Sequence, residues 1–375
     1  MLNKTAMNVL TKWLIFFLYG VATNTFCWGQ KSDSRINLQI HRLEDKIPRI
    51  LDSAHIPGIT IALINKGKLI WSKGFGTVNK ESGNKINERT IFPAASLGKP
   101  VFAYAVLKMV NEGKLHLDSP VTSSVSLKYL EENFLKGKLV DESIKLITPR
   151  MILSHSSGLP NWRNPGEPIK TLFKPGEKYS YSGEGYFLLQ LLLEYTMKEP
   201  IEKVMQNYVF QPLSMNNSTY QIVDIDRYIS TYGNDGKIVP IDTLEAANVA
   251  HTFKTNANDY ARFIIALMKG SGLTKAISKE MFSPQVTTDI CQTGKVSWGL
   301  GIALQNTKPE NAFFQWGKSP NSSSYFIGFK DSERAIVYFT NIANQGLRIG
   351  EALVQEALNY EDPLFACFGV KQYNK

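Results

Sequence analysis

Residues 92–107 run Phe-Pro-Ala-Ala-Ser-Leu-Gly-Lys-Pro-Val-Phe-Ala-Tyr-Ala-Val-Leu, and no other stretch constrains the fold as tightly. Pro100 is tolerated in a helix only within the first turn, where its missing N–H would be unpaired anyway. The apolar run behind it therefore reads as the body of a buried helix that begins near Ser96. A helix apolar all round needs other chain packed about it, so the fold is layered around this segment. Ser96 stands at the helix's N-terminal edge and Lys99 about one turn along. Residues three apart share a face, which brings the Lys99 ammonium within hydrogen-bond reach of the Ser96 hydroxyl. A serine becomes a nucleophile when a base takes its proton, and a lysine can be that base once burial lowers its pKa. The helix N-terminus favours the negative charge that then develops.

The Ser-x-x-Lys spacing occurs a second time. Ser82-Gly83-Asn84-Lys85 has it in a polar, turn-like stretch with no apolar helix behind it, so only Ser96 has the context that catalysis needs. Other chemistries find less support. His41, His55, His116, His155 and His251 are scattered, no Cys/His cluster has metal spacing, and no metal or organic cofactor is expected. The 42 basic and 33 acidic residues give a net charge of +9, without a basic stripe or a nucleic-acid-binding motif. No nucleic-acid partner is expected, and the charge supports only mild attraction to anionic surfaces.

Residues 1–30 carry Lys4, Lys12 and no acid, and removing them leaves +7. The apolar run from Trp13 to Ala22 is short of the roughly twenty residues a membrane span needs. A basic start, a short apolar run and then small polar residues describe an export signal, removed near Gln30. The alternatives are a retained anchor and a lipid on Cys27, which Thr25-Phe26 fits poorly. The expected location is periplasmic or secreted, with membrane attachment only through this segment. Beyond it only Cys291 and Cys367 remain. They could pair in an oxidising compartment, though nothing in the sequence brings them together.

Residues 36–52 read as an amphipathic helix on Ile40, Leu43, Ile47 and Ile50, with a kink expected at Pro48. Pro57-Gly58 breaks it. Ile59, Ile61 and Leu63 begin a strand, Asn65-Lys66-Gly67 turns it, and Leu69-Ile70-Trp71 returns as a hairpin. The Ser96 helix is expected to run to Glu112 and to be capped by Gly113. A mostly helical middle follows, with a Ser/Gly/Pro-rich loop at residues 153–160. In that loop His155 suits a buttress better than a catalyst. Residues 173–186 then turn into an apolar run. Strand-like segments at 313–326 and 335–340 and an amphipathic helix over 346–360 complete the chain. This order suggests an α/β sandwich interrupted by a helical insertion. The length suits one large domain or two intimate ones, and it sets no oligomeric state.

Several of these segments, in this order, resemble one family. Phe92 to Lys99 with Leu107 to Asp118 looks like a nucleophile helix and the turn after it. Leu153 to Pro160 is similar to a Leu-x-His-x-Ser-Gly-Leu loop. Phe173-x-Pro-Gly followed by Tyr181-Ser182 matches a tyrosine motif, and Trp298-Gly299-Leu300-Gly301 and Thr340-Asn341 fall where the family has similar residues. The family is the serine hydrolases that include class C β-lactamases, DD-peptidases (penicillin-binding proteins) and related carboxylesterases, and the resemblance runs from Ile36 to Glu361.

The resemblance implies an antiparallel β-sheet flanked by helices, an α+β arrangement, with an all-helical insertion lobe. The hydrolase domain would span 31–375, with its α/β part at about 36–119 and 290–361 and the lobe at about 120–289. The active site would lie in the cleft between them. It further implies that Ser96 is the nucleophile, Lys99 its base and Tyr181 a partner of that base. The N–H groups of Ser96 and Lys318 would form the oxyanion hole. A cationic Lys99 would lower the pKa of Tyr181.

Two positions depart from the pattern. Gly183 stands where lactamases have an asparagine that contacts both the lysine and the substrate. Gln315-Trp316-Gly317 stands where Lys-Thr-Gly or His-x-Gly is usual, so Gln315 lacks the charge that would hold a substrate carboxylate and support the tyrosine. Trp316 replaces a small hydroxyl residue, and Trp162 and Arg163 are further candidates to line the cleft. The expectation is an exported hydrolase acting on esters or small amides, with a small molecule or short peptide as substrate. The alternatives are a cell-wall DD-peptidase or weak β-lactamase, and a non-catalytic binding protein on the same fold.

Overall fold

The computed structural model describes residues 34–222, 224–291, 296–306 and 310–367. The expected export signal, with Cys27, lies outside them. By chain contacts the molecule divides at Pro48. Helix α1 spans 34–53, and Pro48 does not interrupt it.

Strands β1 (Gly58–Asn65) and β2 (Lys68–Gly76) form the expected hairpin. Its two-residue turn is Lys66-Gly67, with φ of +50° and +64°, the left-handed pair such a turn requires. After β3 (Phe92–Pro93) a single 3₁₀ turn at Ala95–Leu97 leads into α2 (Gly98–Asn111). Gly113, at φ +70°, ends that helix as expected, and the Lys114 N–H reaches back to the Met109 carbonyl. Helices α3 (Leu127–Leu130), α4 (Pro149–Leu153), α5 (Gly183–Met197) and α6 (Ile201–Met205) follow. Short strands β4 (Thr231–Tyr232), β5 (Ile238–Val239) and β6 (Lys254–Thr255) precede α7 (Ala257–Lys269) and α8 (Lys275–Met281). The chain then makes β7 (Val286–Thr287), β8 (Val296–Trp298), β9 (Ala303–Gln305), β10 (Ala312–Ser319), β11 (Ser322–Phe329) and β12 (Arg334–Thr340), and ends in α9 (Gln345–Arg348) and α10 (Gly350–Leu358).

Eight strands join in one antiparallel sheet, ordered β2-β1-β12-β11-β10-β9-β8-β7. The expected antiparallel sheet with flanking helices is present. Distant parts of the chain meet in it, since β1 pairs with β12 from Ile59↔Thr340 to Ile64↔Ala335. Side chains alternate across the pleat and sort the layers. Phe326 and Phe339 meet Tyr260 of α7, with ring centroids 5.4 and 5.6 Å away. Tyr325 and Tyr338 point to the opposite face, where Tyr338 donates to the Gly346 carbonyl at 3.0 Å.

The structure differs from the expected 120–289 lobe in two respects. Helix α7 lies inside that stretch yet packs on the sheet, because Ala257, Tyr260, Ala261, Ile264 and Leu267 form an apolar stripe at helical spacing. The sheet also reaches back to β7, before residue 290.

Cys291 and Cys367 are disulfide-bonded, with Cα atoms 5.5 Å apart and a sequence separation of 76. The bond staples the segment after α10 to the loop after β7. Cross-linking a loop of this size removes freedom from the unfolded chain. Replacing both cysteines by serine is expected to destabilise the fold by roughly 2–4 kcal/mol. Thermal melting of the oxidised, reduced and substituted chains checks this, and equal midpoints would show that the bond stabilises nothing.

Candidate active site

The turn that carries Ser96 is built on an unpaired stretch of strand edge. β10 pairs with β9 only through Ala312–Phe314, so its later residues face the Ala95–Leu97 turn instead. The turn lies close because residue 317 is glycine. A Cβ there would stand 2.3 Å from both the Ala94 carbonyl and Ser324 Oγ. Ser324 in turn donates to that carbonyl at 3.0 Å, and the Ala94 N–H reaches the Phe253 carbonyl at 2.8 Å. Ala95, with φ +48°, holds a left-handed conformation that costs a non-glycine residue about 1 kcal/mol or more. The tyrosines Tyr260 and Tyr220 donate to the Leu97 and Gly98 carbonyls at 3.1 and 2.7 Å. The result is a half-buried Ser96 on a turn fixed from both sides.

Lys99 follows in the first turn of α2, with Pro100 still inside that turn as the sequence requires. Its side chain is 1% exposed, and Nζ lies 3.1 Å from Ser96 Oγ. Nζ also donates to the Ala250 carbonyl at 2.6 Å. The rings of Tyr181 and Tyr186 flank it at 4.8 and 5.6 Å. Burial lowers its pKa to about 7. Because the unfolded chain keeps this proton up to the ordinary 10.5, burying Lys99 costs stability at and below neutrality. That cost fades as pH rises from 7 toward 10.5.

Tyr181 lines the same cavity as Ser96, and Gln315 Nε2 donates to its hydroxyl at 3.2 Å. The sequence suggested that Lys99 would lower this tyrosine's pKa. The reverse holds, because burial raises it well above the ordinary value and outweighs the lowering influence of Ser96 and Gln315. Tyr181 is a neutral phenol near neutral pH, so of the two groups Lys99 is the one able to accept a proton there. Gln315 also departs from expectation. Although uncharged, it supports the tyrosine directly, and it is buried beneath it rather than open to a substrate carboxylate.

His155 buttresses the tyrosine, as its loop composition suggested. Its carbonyl accepts the Ser180 N–H at 2.8 Å, and its Nδ1 accepts the Ser182 N–H at 3.0 Å, one on each side of Tyr181. The two rings lie 4.2 Å apart. Burial and the nearby Lys99 hold the imidazole pKa well below the usual range, so it is neutral. Ser82 lies in an exposed turn, bonded to the Asn79 carbonyl.

The neighbourhood of Gly183 explains its lack of a side chain. A Cβ there would stand 2.7 Å from the Asn161 carbonyl and 2.9 Å from the Trp162 ring. Its N–H donates to Asn161 Oδ1 at 3.1 Å. Arg163 forms a two-pronged ion pair with Glu184, with Nε 2.9 Å from Oε1, and its Nη1 donates to the Phe134 carbonyl. That pair clamps the 161–163 loop to the start of α5. Sequence reasoning missed Asn161 and Ala250, and Ala250 acts through a backbone carbonyl that leaves no residue-type signal.

Two cavities flank the serine. One of 710 Å³ is lined by Ser96, Asn161, Tyr181, Trp316, Lys318 and Asn344, among others. The other, of 470 Å³, lies against Ala95, Trp162, Ile241, Phe253 and Lys254, and shares Lys318, Ser319 and Pro320 with the first. A larger polar cavity of 1070 Å³, around Arg89, Arg227 and Asn258, contains none of these catalytic candidates. Among the described residues no group of His, Cys, Asp and Glu has the arrangement of a metal site.

The fold is similar to that of an octameric penicillin-binding protein homologue from Pyrococcus abyssi. The TM-score is 0.71 at 21% identity, over 82% of this chain and 74% of that one. Residues 43–359 match the Beta-lactamase family, and the chain belongs to that family, as the sequence motifs implied. Among curated proteins it is similar to Esterase EstB of Burkholderia gladioli, 27% identical over 236 residues. That match covers 56% of this chain and 58% of the esterase. It is also similar to Protein flp of Staphylococcus aureus (strain NCTC 8325 / PS 47), 25% identical over 200 residues, or 48% and 38% of the two chains. The chain thus spans less than two thirds of the length of these curated relatives.

Gly317→Ala is expected to leave a folded protein whose Ser96 turn is displaced from β10. Labelling of Ser96 by a fluorophosphonate should slow by about 10²-fold, the penalty for misplacing a reacting atom by about 1 Å. An unchanged labelling rate would mean that the contact with Ala94 does not position the serine. Given the Asn161 carbonyl and the Trp162 ring, the first expected effect of Gly183→Asn is a lower melting temperature, and an undiminished melting temperature would contradict this packing.

Proposed function

We propose that this chain is an exported serine hydrolase that carries an acyl intermediate on Ser96 and acts on esters or small amides. The observation that carries this reading is Lys99, a buried amine with its pKa lowered to about 7, so that a large share of it is neutral at pH 7, and hydrogen-bonded to the serine at 3.1 Å. The neutral amine takes the Ser96 proton as Oγ attacks the substrate carbonyl carbon. The carbonyl oxygen becomes an oxyanion, held by the N–H groups of Ser96 and Lys318. When the tetrahedral intermediate collapses, the bond to the leaving group breaks and the leaving atom takes a proton through the Tyr181 hydroxyl. Water then attacks the acyl carbon, giving its proton to Lys99; the bond from that carbon to Ser96 Oγ breaks, Oγ takes the proton back from Lys99, and the acid leaves.

The two cavities suit the two halves of such a substrate, since they meet at Lys318 beside the serine. A neutral, buried Gln315 supplies no cation for a substrate carboxylate. That favours uncharged esters and amides over penicillins or peptidoglycan termini. The similarity to a protein named as an esterase points the same way. Export is supported by the Cys291–Cys367 disulfide, a bond that persists in oxidising compartments, together with the leader-like residues 1–30.

Intact-mass analysis after treatment with a fluorophosphonate, a penicillin and a short-chain activated ester tests the proposal. The expected result is a Ser96 adduct, ester turnover, and loss of both in Ser96→Ala with the fold retained. Below about pH 7 the rate of ester cleavage should fall as Lys99 becomes protonated, approaching tenfold per pH unit. Labelling that survives Ser96→Ala would overturn the nucleophile. A long-lived penicilloyl adduct without ester turnover would favour the cell-wall reading, and no adduct at all the non-catalytic one.

A further inference from the structure

The partner of Lys99 opposite Ser96 is held in place from a distant helix. Lys99 Nζ donates to the Ala250 carbonyl, and Ala250 belongs to an irregular loop rather than to a strand or long helix. A loop can hold a carbonyl to a fixed point only if its own backbone is fixed. Gln190, 3% exposed, sits two turns along α5 among Leu188, Leu189, Leu191 and Leu192. Its Oε1 accepts the Val249 N–H at 3.0 Å, and its Nε2 donates to the Ala247 carbonyl at 3.0 Å and to Glu194 Oε1 at 3.4 Å. Those contacts use both donors and one acceptor, so the carboxamide has a single orientation. Within the loop Asn248 closes the turn. Its Oδ1 accepts the Ala250 N–H, and its own N–H donates to Thr252 Oγ1, both at 2.9 Å.

A neutral amine has two N–H bonds and one lone pair. With one N–H committed to Ala250, rotation about the Cε–Nζ bond stops, and the lone pair can be aimed at Ser96. The same helix begins at Ser182, the residue after Tyr181. One rigid element therefore carries the tyrosine at one end and the brace for the lysine's acceptor two turns later. A leucine-rich helix face has no packing reason for a carboxamide, and burying one is costly unless it is fully hydrogen-bonded.

We infer that Gln190 is a positioning residue, gripping the backbone on both sides of Asn248 so that the Ala250 carbonyl orients Lys99 toward Ser96. This rests on the proposal that Lys99 is the base. The groups facing Nζ are Ser96, Tyr181, Tyr186, the neutral His155 and this carbonyl. Of these the carbonyl is the acceptor that most favours the charged form. Releasing it lowers the lysine's pKa further, which a merely structural defect would not do.

The test uses the full chain with Gln190→Met, close in size but apolar, and Asn248→Ala, which loosens the same loop without touching α5. The rate of fluorophosphonate labelling of Ser96 is measured across the neutral pH range, beside thermal melting. In the parent the rate is expected to fall on the acid side with a midpoint near 7. In a folded Gln190→Met chain the plateau is expected to drop by about 10- to 100-fold, with the midpoint moved to lower pH. Should that variant fail to fold, Asn248→Ala is expected to show the same displaced midpoint. An unchanged plateau and midpoint would overturn the inference, as would an equal loss at every pH with the midpoint unmoved. A parent without a midpoint near 7, or labelling that survives Ser96→Ala, would overturn the Lys99 reading itself and this inference with it.

Discussion

One amine held out of water is the constraint on which the rest of the site depends. Moving the Lys99 pKa from 10.5 to about 7 corresponds to about 5 kcal/mol of preference for the neutral form. The fold meets that cost with packing all round α2, two tyrosine rings and one backbone carbonyl. The carbonyl restores one hydrogen bond without restoring a counter-charge. A carboxylate in its place would hold the proton on the lysine and remove the base.

Around that amine, three parts of the chain that are far apart in sequence are brought together by backbone contacts more than by side chains. The turn that carries Ser96 lies on the free edge of β10 because residue 317 has no Cβ. The tyrosine is held by a carbonyl and a ring nitrogen of one histidine. The lysine's acceptor is set by a carboxamide on α5. The strained Ala95 is kept by tyrosine hydroxyls that cap the carbonyls just after it. Strain of this kind persists only where neighbours over-determine it.

The two departures from the family pattern acquire physical meanings that composition could not supply. Gly183 is not a missing contact, because the 161–163 loop occupies the space a side chain would need, clamped there by Arg163 and Glu184. Gln315 replaces a cation with a neutral donor to the same tyrosine. Gln315 lowers the positive charge of the cleft and Gly183 its polar reach, while Ser96, Lys99 and Tyr181 stay together. Under the proposed function, the groups for acyl transfer are kept and substrate recognition is what differs.

Much of this was legible in the residues themselves. Pro100 placed the start of α2, the apolar run behind it required burial, and the three-residue spacing brought Lys99 to Ser96, because helix geometry is local. Gly113 and Lys66-Gly67 announced their caps and turns through backbone freedom. Other features had no local signature. The Cys291–Cys367 bond, the Ala250 carbonyl and the seat of α7 on the sheet depend on segments distant in sequence, and a carbonyl looks the same in every residue. The raised pKa of Tyr181 was misjudged because the attraction of a nearby cation can be read from a motif, whereas desolvation is a property of the whole surrounding fold. Sequence determined which groups are available for chemistry, and tertiary packing decided their protonation states, since charge is set by what replaces water around it.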